Sequence, residues 1–411
     1  MTEPQASIET RGSWVAAGIV LAVLSVSYGS PLLVVVGLKV MTEAMHTDRS
    51  VVALAAALVW VGTGAGGIVM GWLADRIGLR PVVAFGTVMT ALGLIVSTHG
   101  SVWALYVGHG VLIGFLGNGA IYAPLLIYVS RWFDRRRGTA IALISSGQYI
   151  AGVVWPSVFQ IGIDAYGWEL SMTVFAGVVV ALILPTLVLL RPAPEAPLPG
   201  MVGGKSGERR TVLGMHPNAT QALICVAAFA CCIPMSVPSS HLVAFCSDIG
   251  ITPAHGAAML SVLLGCAFVS RQFWGALADR IGGLKTVLAG SVCQTVAIGA
   301  FMLTQDEVGL FAISAAFGLG FSGIIPSYSV AIRDLYPSAD AAWRIPTVLF
   351  SGMSGMAFGS WFSGALYDHY GFYGPAFTAG VLFSLVNLMV VGFLVQRINQ
   401  RDRALAQSVP G

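Results

Sequence analysis

The sequence predicts an all-α membrane protein with twelve transmembrane helices in two pseudo-symmetric six-helix bundles. Of its 411 residues, 56% are hydrophobic and only 9% are charged, whereas a typical soluble domain has about 25% charged residues. Apolar runs of about 20 residues, the length that crosses the hydrocarbon core of a bilayer, recur along the whole chain. A sequence segment at the end of the second run also recurs at the end of the eighth. These three observations exclude a water-soluble globule.

The predicted helices form two sets of six. The first set spans 14–38, 50–72, 81–98, 102–129, 138–162 and 168–190, and the second spans 219–246, 254–278, 284–303, 307–332, 343–367 and 373–396. The predicted domains are an N-terminal tail (1–13), a first bundle (14–190), a linker rich in Pro and Gly (191–217), a second bundle (218–397) and a C-terminal tail (398–411).

Basic residues predict the orientation, because cytoplasmic loops are enriched in Lys and Arg. If the N-terminus is inside, all of the 21 Lys and Arg residues except Lys39, Arg49 and Arg271 fall on the cytoplasmic side. We therefore expect an integral protein of the bacterial inner (plasma) membrane with a cytoplasmic linker and both termini in the cytoplasm. The net charge of +3 is too small for a general nucleic-acid field.

The two halves share a motif. The segment GWLADRIG at Gly71–Gly78 recurs as GALADRIG at Gly275–Gly282, an offset of 204. The first copy, G-x-x-x-D-R-x-G-x-R over residues 71–80, resembles the signature loop of the major facilitator superfamily, and the second copy strengthens the match. The resemblance implies the major facilitator fold and secondary transport, with a substrate site between two related bundles.

A second segment points to a subfamily. RWFDRRRGTA at Arg131–Ala140, leading into the fifth predicted helix, resembles the pattern of monocarboxylate transporters and oxalate/formate antiporters. The resemblance implies alternating-access transport of a small, lactate- or pyruvate-like monocarboxylate. The alternatives are a carboxylate exchanger and a non-transporting carboxylate sensor of the same fold. One departure is Ala267, where many animal monocarboxylate transporters carry an acidic residue.

The motif loops predict a conformational latch formed by Gly71, Asp75, Arg76, Asp279 and Arg280. The glycines, with Gly275, would permit close helix contact, and the two Asp residues could cap a neighbouring helix N-terminus, where the dipole favours an anion. The alternative is that the basic residues only set the topology.

Arg271 in the eighth predicted helix is the charge that we expect deep in the membrane. All 18 Asp and Glu residues fall in predicted loops or tails. An intramembrane Arg is costly and therefore functional by default, and its guanidinium binds a carboxylate through two parallel hydrogen bonds. The alternative is a structural strut. The eleventh helix, over Val348–Phe358, adds no second cation, which favours a monocarboxylate, although Lys39 could supply an entry-side charge.

Polar and aromatic residues at similar depth complete the predicted substrate site: Tyr28, Asn118, Tyr122, Gln148 and Tyr328. Asn118 and Tyr122 are four residues apart and share one helix face. Tyr28, Tyr122, Gln148 and Arg271 also match the positions of binding residues in the resembled transporters. For each tyrosine, the alternative is ring packing with its hydroxyl bonded to a neighbouring helix.

Three groups could carry a coupled proton: His241, which titrates near neutral pH, Lys39, and the substrate carboxylate itself, which we favour. Motifs for metal binding, nucleotide binding and nucleophilic catalysis are missing from the sequence. We therefore expect no enzyme activity and no cofactor. The expected partners are a small organic anion, protons and the lipid bilayer, with the protein functional as a monomer.

Overall fold

The computed structural model describes residues 9–133, 136–191 and 211–408, and within these ranges the chain forms twelve long helices. The first six are α1 (Arg11–Ser27 and Gly29–Ala44), α2 (Arg49–Ile77), α3 (Leu79–Ser97), α4 (Val102–Tyr106, Val107–Asn118 and Gly119–Ser130), α5 (Arg137–Ser145 and Gly147–Tyr166) and α6 (Trp168–Leu189). The second six are α7 (Pro217–Asp248), α8 (Pro253–Ile281), α9 (Gly283–Ala300), α10 (Glu307–Phe321 and Ile324–Leu335), α11 (Ser338–Tyr370) and α12 (Gly374–Ser408).

The helices suit a membrane. Eleven of them are long and apolar enough to cross one, judged by length and composition, and this set leaves out α11. Large apolar side chains such as Ile161, Val188 and Val296 are about 70% exposed or more, as expected where lipid covers the surface. The predicted all-α class is confirmed, and each predicted span coincides with one observed helix. Most of the predicted linker, 192–210, lies outside the described residues.

The chain divides into two compact units. Unit 1 comprises Met1–Gly200 and Thr252–Ser261, and unit 2 comprises Met201–Ile251 and Val262–Gly411. Within unit 1, α4 packs along α2 and α3, and α3 also packs along α6. Within unit 2, α7 packs along α11 and α12, and α9 packs against α10 and α12. The predicted bundle boundaries stay a prediction.

The sequence repeat forms the same local structure twice. α2 runs from 49 to 77 and α8 from 253 to 281, an offset of 204 at each end. Each helix is followed by a glycine with positive φ, Gly78 (φ 93°, ψ 161°) and Gly282 (φ 87°, ψ 159°). Glycine adopts this conformation without the steric cost that a Cβ brings, so the repeated motif makes the same turn into α3 and α9.

Close helix contact occurs at other glycines than the motif glycines. A Cβ on Gly66 would overlap the carbonyl group of Phe115 in α4, so only glycine fits at that crossing. A Cβ on Gly71 would lie 4.0 Å from Ile127 Cδ1, and one on Gly275 would meet nothing within 4 Å in the described structure. Within the described part of each unit, neither motif glycine is required by a close helix contact, and their role in the latch stays a prediction.

Proline accounts for two of the helix interruptions. α1 breaks at Tyr28 and α10 breaks at Ser322 and Gly323. Pro31 and Pro326 follow these breaks, and each lacks an N–H group and collides with the carbonyl four residues earlier in a regular helix. α4 and α5 are interrupted without a proline at the break, by a π-helical segment over Val107–Asn118 and at Ser146.

A tryptophan indole satisfies a carbonyl at each of the two proline breaks. Trp155 in α5 donates to the carbonyl of Ser25 at 2.8 Å, and Trp274 in α8 donates to the carbonyl of Leu319 at 2.7 Å. In an unbroken helix these carbonyls would accept from the amides of Gly29 and Gly323. A Cβ on either glycine would collide with the same indole.

The two glycines of α2 give a matched pair of variants. Gly66→Ala should destabilise the protein by about 1 to 3 kcal/mol through overpacking, whereas Gly71→Ala should be neutral or stabilise the helix by up to about 1 kcal/mol. Thermal stability of the purified protein in detergent would measure both. A Gly71→Ala protein less stable than Gly66→Ala would contradict the packing described for α2.

Candidate functional site

The break in α1 lies at Tyr28, where α1 contacts α4. Tyr28 is 7% exposed, and its ring meets that of Tyr122 in α4 edge to face, with centroids 5.7 Å apart. The preceding residue, Ser27, donates its hydroxyl proton to Oδ1 of Asn118 at 2.6 Å. Two consecutive residues of α1 therefore contact both predicted residues of α4, as expected if Asn118 and Tyr122 share a face.

Asn118 lies at the point where the π-helical segment of α4 returns to α-helix. Such segments are rare and frequently occur at functional sites. Asn118 is 1% exposed, and its Nδ2 makes no hydrogen bond within the described residues. The hydroxyl of Ser30 in α1 is also buried and makes none there. A buried polar group without a partner is costly, so these two donors suit a polar ligand.

Gln148 lies at the interruption of α5. It is the second residue of the segment Gly147–Tyr166 and is half-buried. A Cβ on the adjacent Gly147 would lie 2.7 Å from Cβ of Leu24 and 3.2 Å from the amide nitrogen of Ser25. The start of this segment therefore packs against α1 within about one turn of Tyr28. Unit 1 thus gathers Tyr28, Asn118 and Tyr122, with Gln148 on the adjoining helix.

Arg271 belongs to unit 2, where it is half-buried in α8. The preceding residue, Ser270, shares a hydrogen bond of 2.7 Å with Ser322 at the break in α10. One turn further along α8, Trp274 binds the carbonyl of Leu319 before the same break. Arg271 therefore lies on α8 where this helix packs against an interrupted neighbour, a setting in which transporters place binding groups.

Tyr328 lies in a different setting from the one predicted. Its side chain is fully buried in unit 2, and its hydroxyl donates to Oδ1 of Asn387 in α12 at 2.9 Å. Asn387 in turn donates to Ser291 in α9 at 2.6 Å. This network links three helices of one unit, so the ring packs in the interior and its hydroxyl serves a neighbouring helix. This setting matches the alternative given for the tyrosines, and the role of Tyr328 in substrate binding stays a prediction.

His241 is also part of a network within unit 2. Its Nε2 lies 2.8 Å from the carbonyl oxygen of Ser360 in α11, and its Nδ1 lies 3.0 Å from the hydroxyl of Tyr373. A carbonyl only accepts, so Nε2 carries a proton and Nδ1 can accept from Tyr373. Lys39, the other proton candidate, is half-buried near the end of α1.

The motif residues have other partners than a helix N-terminus. Asp75 accepts from Arg131 at 3.0 Å, just after α4 ends, and Arg76 lies 3.9 Å over the ring of Trp72. Asp279 and Arg280 are exposed on α8. At the start of α9, which follows Asp279 in the chain, the amide of Gly283 donates to Asp334 at 3.0 Å. The latch itself stays a prediction.

Sequence reasoning missed Ser27, Ser30 and Asp334. The two serines flank Tyr28 within four residues of Pro31, and hydroxyl side chains near a proline commonly serve freed backbone or ligand groups in membrane helices. Asp334 lies outside the repeated segment 275–282, so the repeat gave no signal for it.

The model of the Major Facilitator Superfamily matches residues 15–268 and, again, residues 223–408. The chain belongs to the Major Facilitator Superfamily. The two overlapping matches cover nearly all of the chain, as the internal repeat leads one to expect. The predicted resemblance is therefore confirmed, and the chain is an integral membrane protein of a transporter superfamily.

Individual relatives are distant. The chain is 25% identical over 329 residues to the MFS-type transporter pynF of Aspergillus niger, covering 77% of this chain and 74% of that protein. It is 28% identical over 393 residues to monocarboxylate transporter 11 of Homo sapiens, covering 90% and 79%. The crystal structure of a mutant of the nucleoside transporter NupG aligns with a TM-score of 0.71 at 14% identity, covering 94% of this chain and 99% of that one.

A pair of tyrosine-to-phenylalanine variants tests whether the hydrogen bond between Tyr328 and Asn387 stabilises the protein. Tyr328→Phe should lower the stability by about 1 to 3 kcal/mol, because Oδ1 of Asn387 loses its buried donor. Tyr370→Phe makes the same chemical change at a side chain that is 55% exposed and should have little effect. Thermal unfolding in detergent compares them, and equal shifts would show that the network contributes nothing.

Proposed function

We propose that the protein is a secondary active transporter that moves a small monocarboxylate across the membrane by alternating access. Arg271 supplies the positive charge that binds the carboxylate. Tyr28, Asn118, Tyr122 and Gln148 supply polar and aromatic contacts. The protein would function as a monomer in the bacterial inner membrane with both termini in the cytoplasm.

The observation that carries this proposal is the cluster around the break in α1. Ser27 donates a hydrogen bond to Oδ1 of Asn118 and so holds the amide group in place. The two N–H donors on Nδ2 make no hydrogen bond within the described residues and can bind another partner. The hydroxyl of Ser30 adds a further unused donor. Donors of this kind match carboxylate oxygens, and the Tyr28 and Tyr122 rings beside them suit a short apolar chain.

Charge supports a single carboxylate. A guanidinium remains ionised at any relevant pH and engages a carboxylate through two parallel hydrogen bonds. Helix α11 has no basic residue over Val348–Phe358, so a dianion would lack a second embedded cation there. The relatives named as monocarboxylate transporters agree with this substrate class at low identity.

The substrate itself is the best proton carrier. Both ring nitrogens of His241 already lie within hydrogen-bonding distance of Ser360 and Tyr373, so taking part in proton transfer would disrupt a contact between helices of unit 2. A carboxylate that crosses with its own proton moves as a neutral species, which needs no acidic side chain in the membrane.

Conservative replacement of Arg271 tests the site. Uptake of labelled lactate and pyruvate into proteoliposomes under an inward proton gradient should fall about tenfold or more in Arg271→Lys, because a charged hydrogen bond and the fork geometry are lost. Arg333→Lys at the end of α10 is the matched control and should transport normally. Near-normal uptake by a well-folded Arg271→Gln protein would refute the role of Arg271.

The same vesicles separate symport from exchange. Uptake into empty vesicles driven by external acid supports proton symport. Uptake that occurs only when a carboxylate is preloaded inside would instead make the protein an exchanger. Binding of the anion without flux in either arrangement would identify a sensor.

A further inference from the structure

A charged cavity lies at one end of unit 1, away from the cluster around Tyr28. It has a volume of about 440 Å³ and is formed where α2, α3, α4 and α6 end or begin. Its walls include Asp75 and three arginines, Arg80, Arg131 and Arg191. The sequence predicts that this end faces the cytoplasm, at the level of the lipid headgroups.

The charges of the cavity favour an anion. The single carboxylate in the wall, Asp75, is already paired with Arg131 at 3.0 Å. Nε of Arg131 is buried and makes no hydrogen bond within the described part of the chain. Arg80 donates to the carbonyl of Leu190, just after α6 ends, while the side chain of Arg191 is exposed. After Asp75 and Arg131 offset each other, two positive charges remain in the wall.

The start of α3 adds a second attraction for an anion. Gly78, Leu79 and Arg80 line the cavity, and the N-cap residue of this helix is Gly78, which has no side chain to cap it. The first amides of a helix lack intrahelical acceptors, and its dipole is positive there. The amino end of a 19-residue helix and the arginines therefore act on the same space.

The repeat shows what occupies this place in unit 2. α9 begins after Gly282 with the same turn, and the amide of Gly283 donates to the carboxylate of Asp334. Leu79, 204 positions before Gly283, lines the cavity at the start of α3. Unit 2 thus supplies an internal carboxylate at this helix start, whereas unit 1 has an arginine-lined cavity.

We propose that this cavity binds a phosphate-type oxyanion, which takes the place in unit 1 that the carboxylate of Asp334 has in unit 2. Arginine forks match the oxygens of a phosphate group. The cavity is large enough for a phospholipid headgroup, and basic pockets between helices at the cytoplasmic surface bind such headgroups. A phosphate free in solution has the same chemistry. The bound anion would join the start of α3 to the ends of α4 and α6.

Native mass spectrometry of the full chain in detergent tests the proposal. Phosphatidylglycerol, phosphatidylcholine and inorganic phosphate are the probes. Two variants address the cavity: Arg191→Gln and Arg80→Gln each remove one wall charge. Each should weaken anion binding by about fivefold or more. Arg333→Gln removes an exposed arginine outside the cavity and should change nothing.

The outcomes are distinct. Binding of phosphatidylglycerol over phosphatidylcholine, weakened in both cavity variants, identifies a lipid headgroup as the ligand. Binding of inorganic phosphate with the same pattern identifies a soluble anion. Equal binding of both lipids together with no phosphate binding, or binding unchanged in both cavity variants, would overturn the proposal. Thermal stability of each variant, measured in parallel, shows whether it is folded, and of the two cavity variants only Arg80→Gln also removes a hydrogen bond to the backbone at Leu190.

Discussion

The structure depends on satisfying backbone polar groups where transmembrane helices are interrupted. Hydrocarbon offers no hydrogen bonds, so a carbonyl that loses its amide partner at a helix break must find another partner within the protein. Trp155 and Trp274 meet this need at Ser25 and Leu319. The indole requires a glycine on the broken helix, and that close approach brings α5 against α1 and α8 against α10. The candidate binding residues Tyr28 and Arg271 lie beside these two braced breaks.

The same constraint separates candidate binding residues from residues with a packing role. Polar side chains at similar depth differ in whether their hydrogen bonds are already used. Tyr328 and Asn387 complete each other's bonds in the interior of unit 2. Asn118, in contrast, has one side of its amide held by Ser27 and the other side without a partner in the described structure. The amide is held at its oxygen and has unused donors at its nitrogen, which is the preorganisation that a binding group needs.

Much of the fold could be predicted from the sequence, because apolar run length and charge placement are strong signals in a membrane protein. The interruptions were only partly predictable. Pro31 and Pro326 mark breaks, whereas the π-helical segment of α4 has no proline at its start. The sequence could not decide between binding and ring packing for Tyr328, because depth along a helix follows from sequence position, but the direction a side chain faces depends on neighbours. The pairing of Asp75 with Arg131 could not be predicted either, because the two residues lie 56 positions apart in the sequence.

The repeat also records how a duplicated half can diverge. The ends of α2 and α8 and the glycines that follow them have kept a spacing of 204 residues, so the shared feature is backbone geometry. Side-chain chemistry differs within this geometry: Gly67 in the first half corresponds to Arg271 in the second. A single substitution in one copy can therefore add a charge while the backbone of both copies stays the same. Comparing the halves of one chain then serves as an internal alignment, which shows the half to which a given charge belongs.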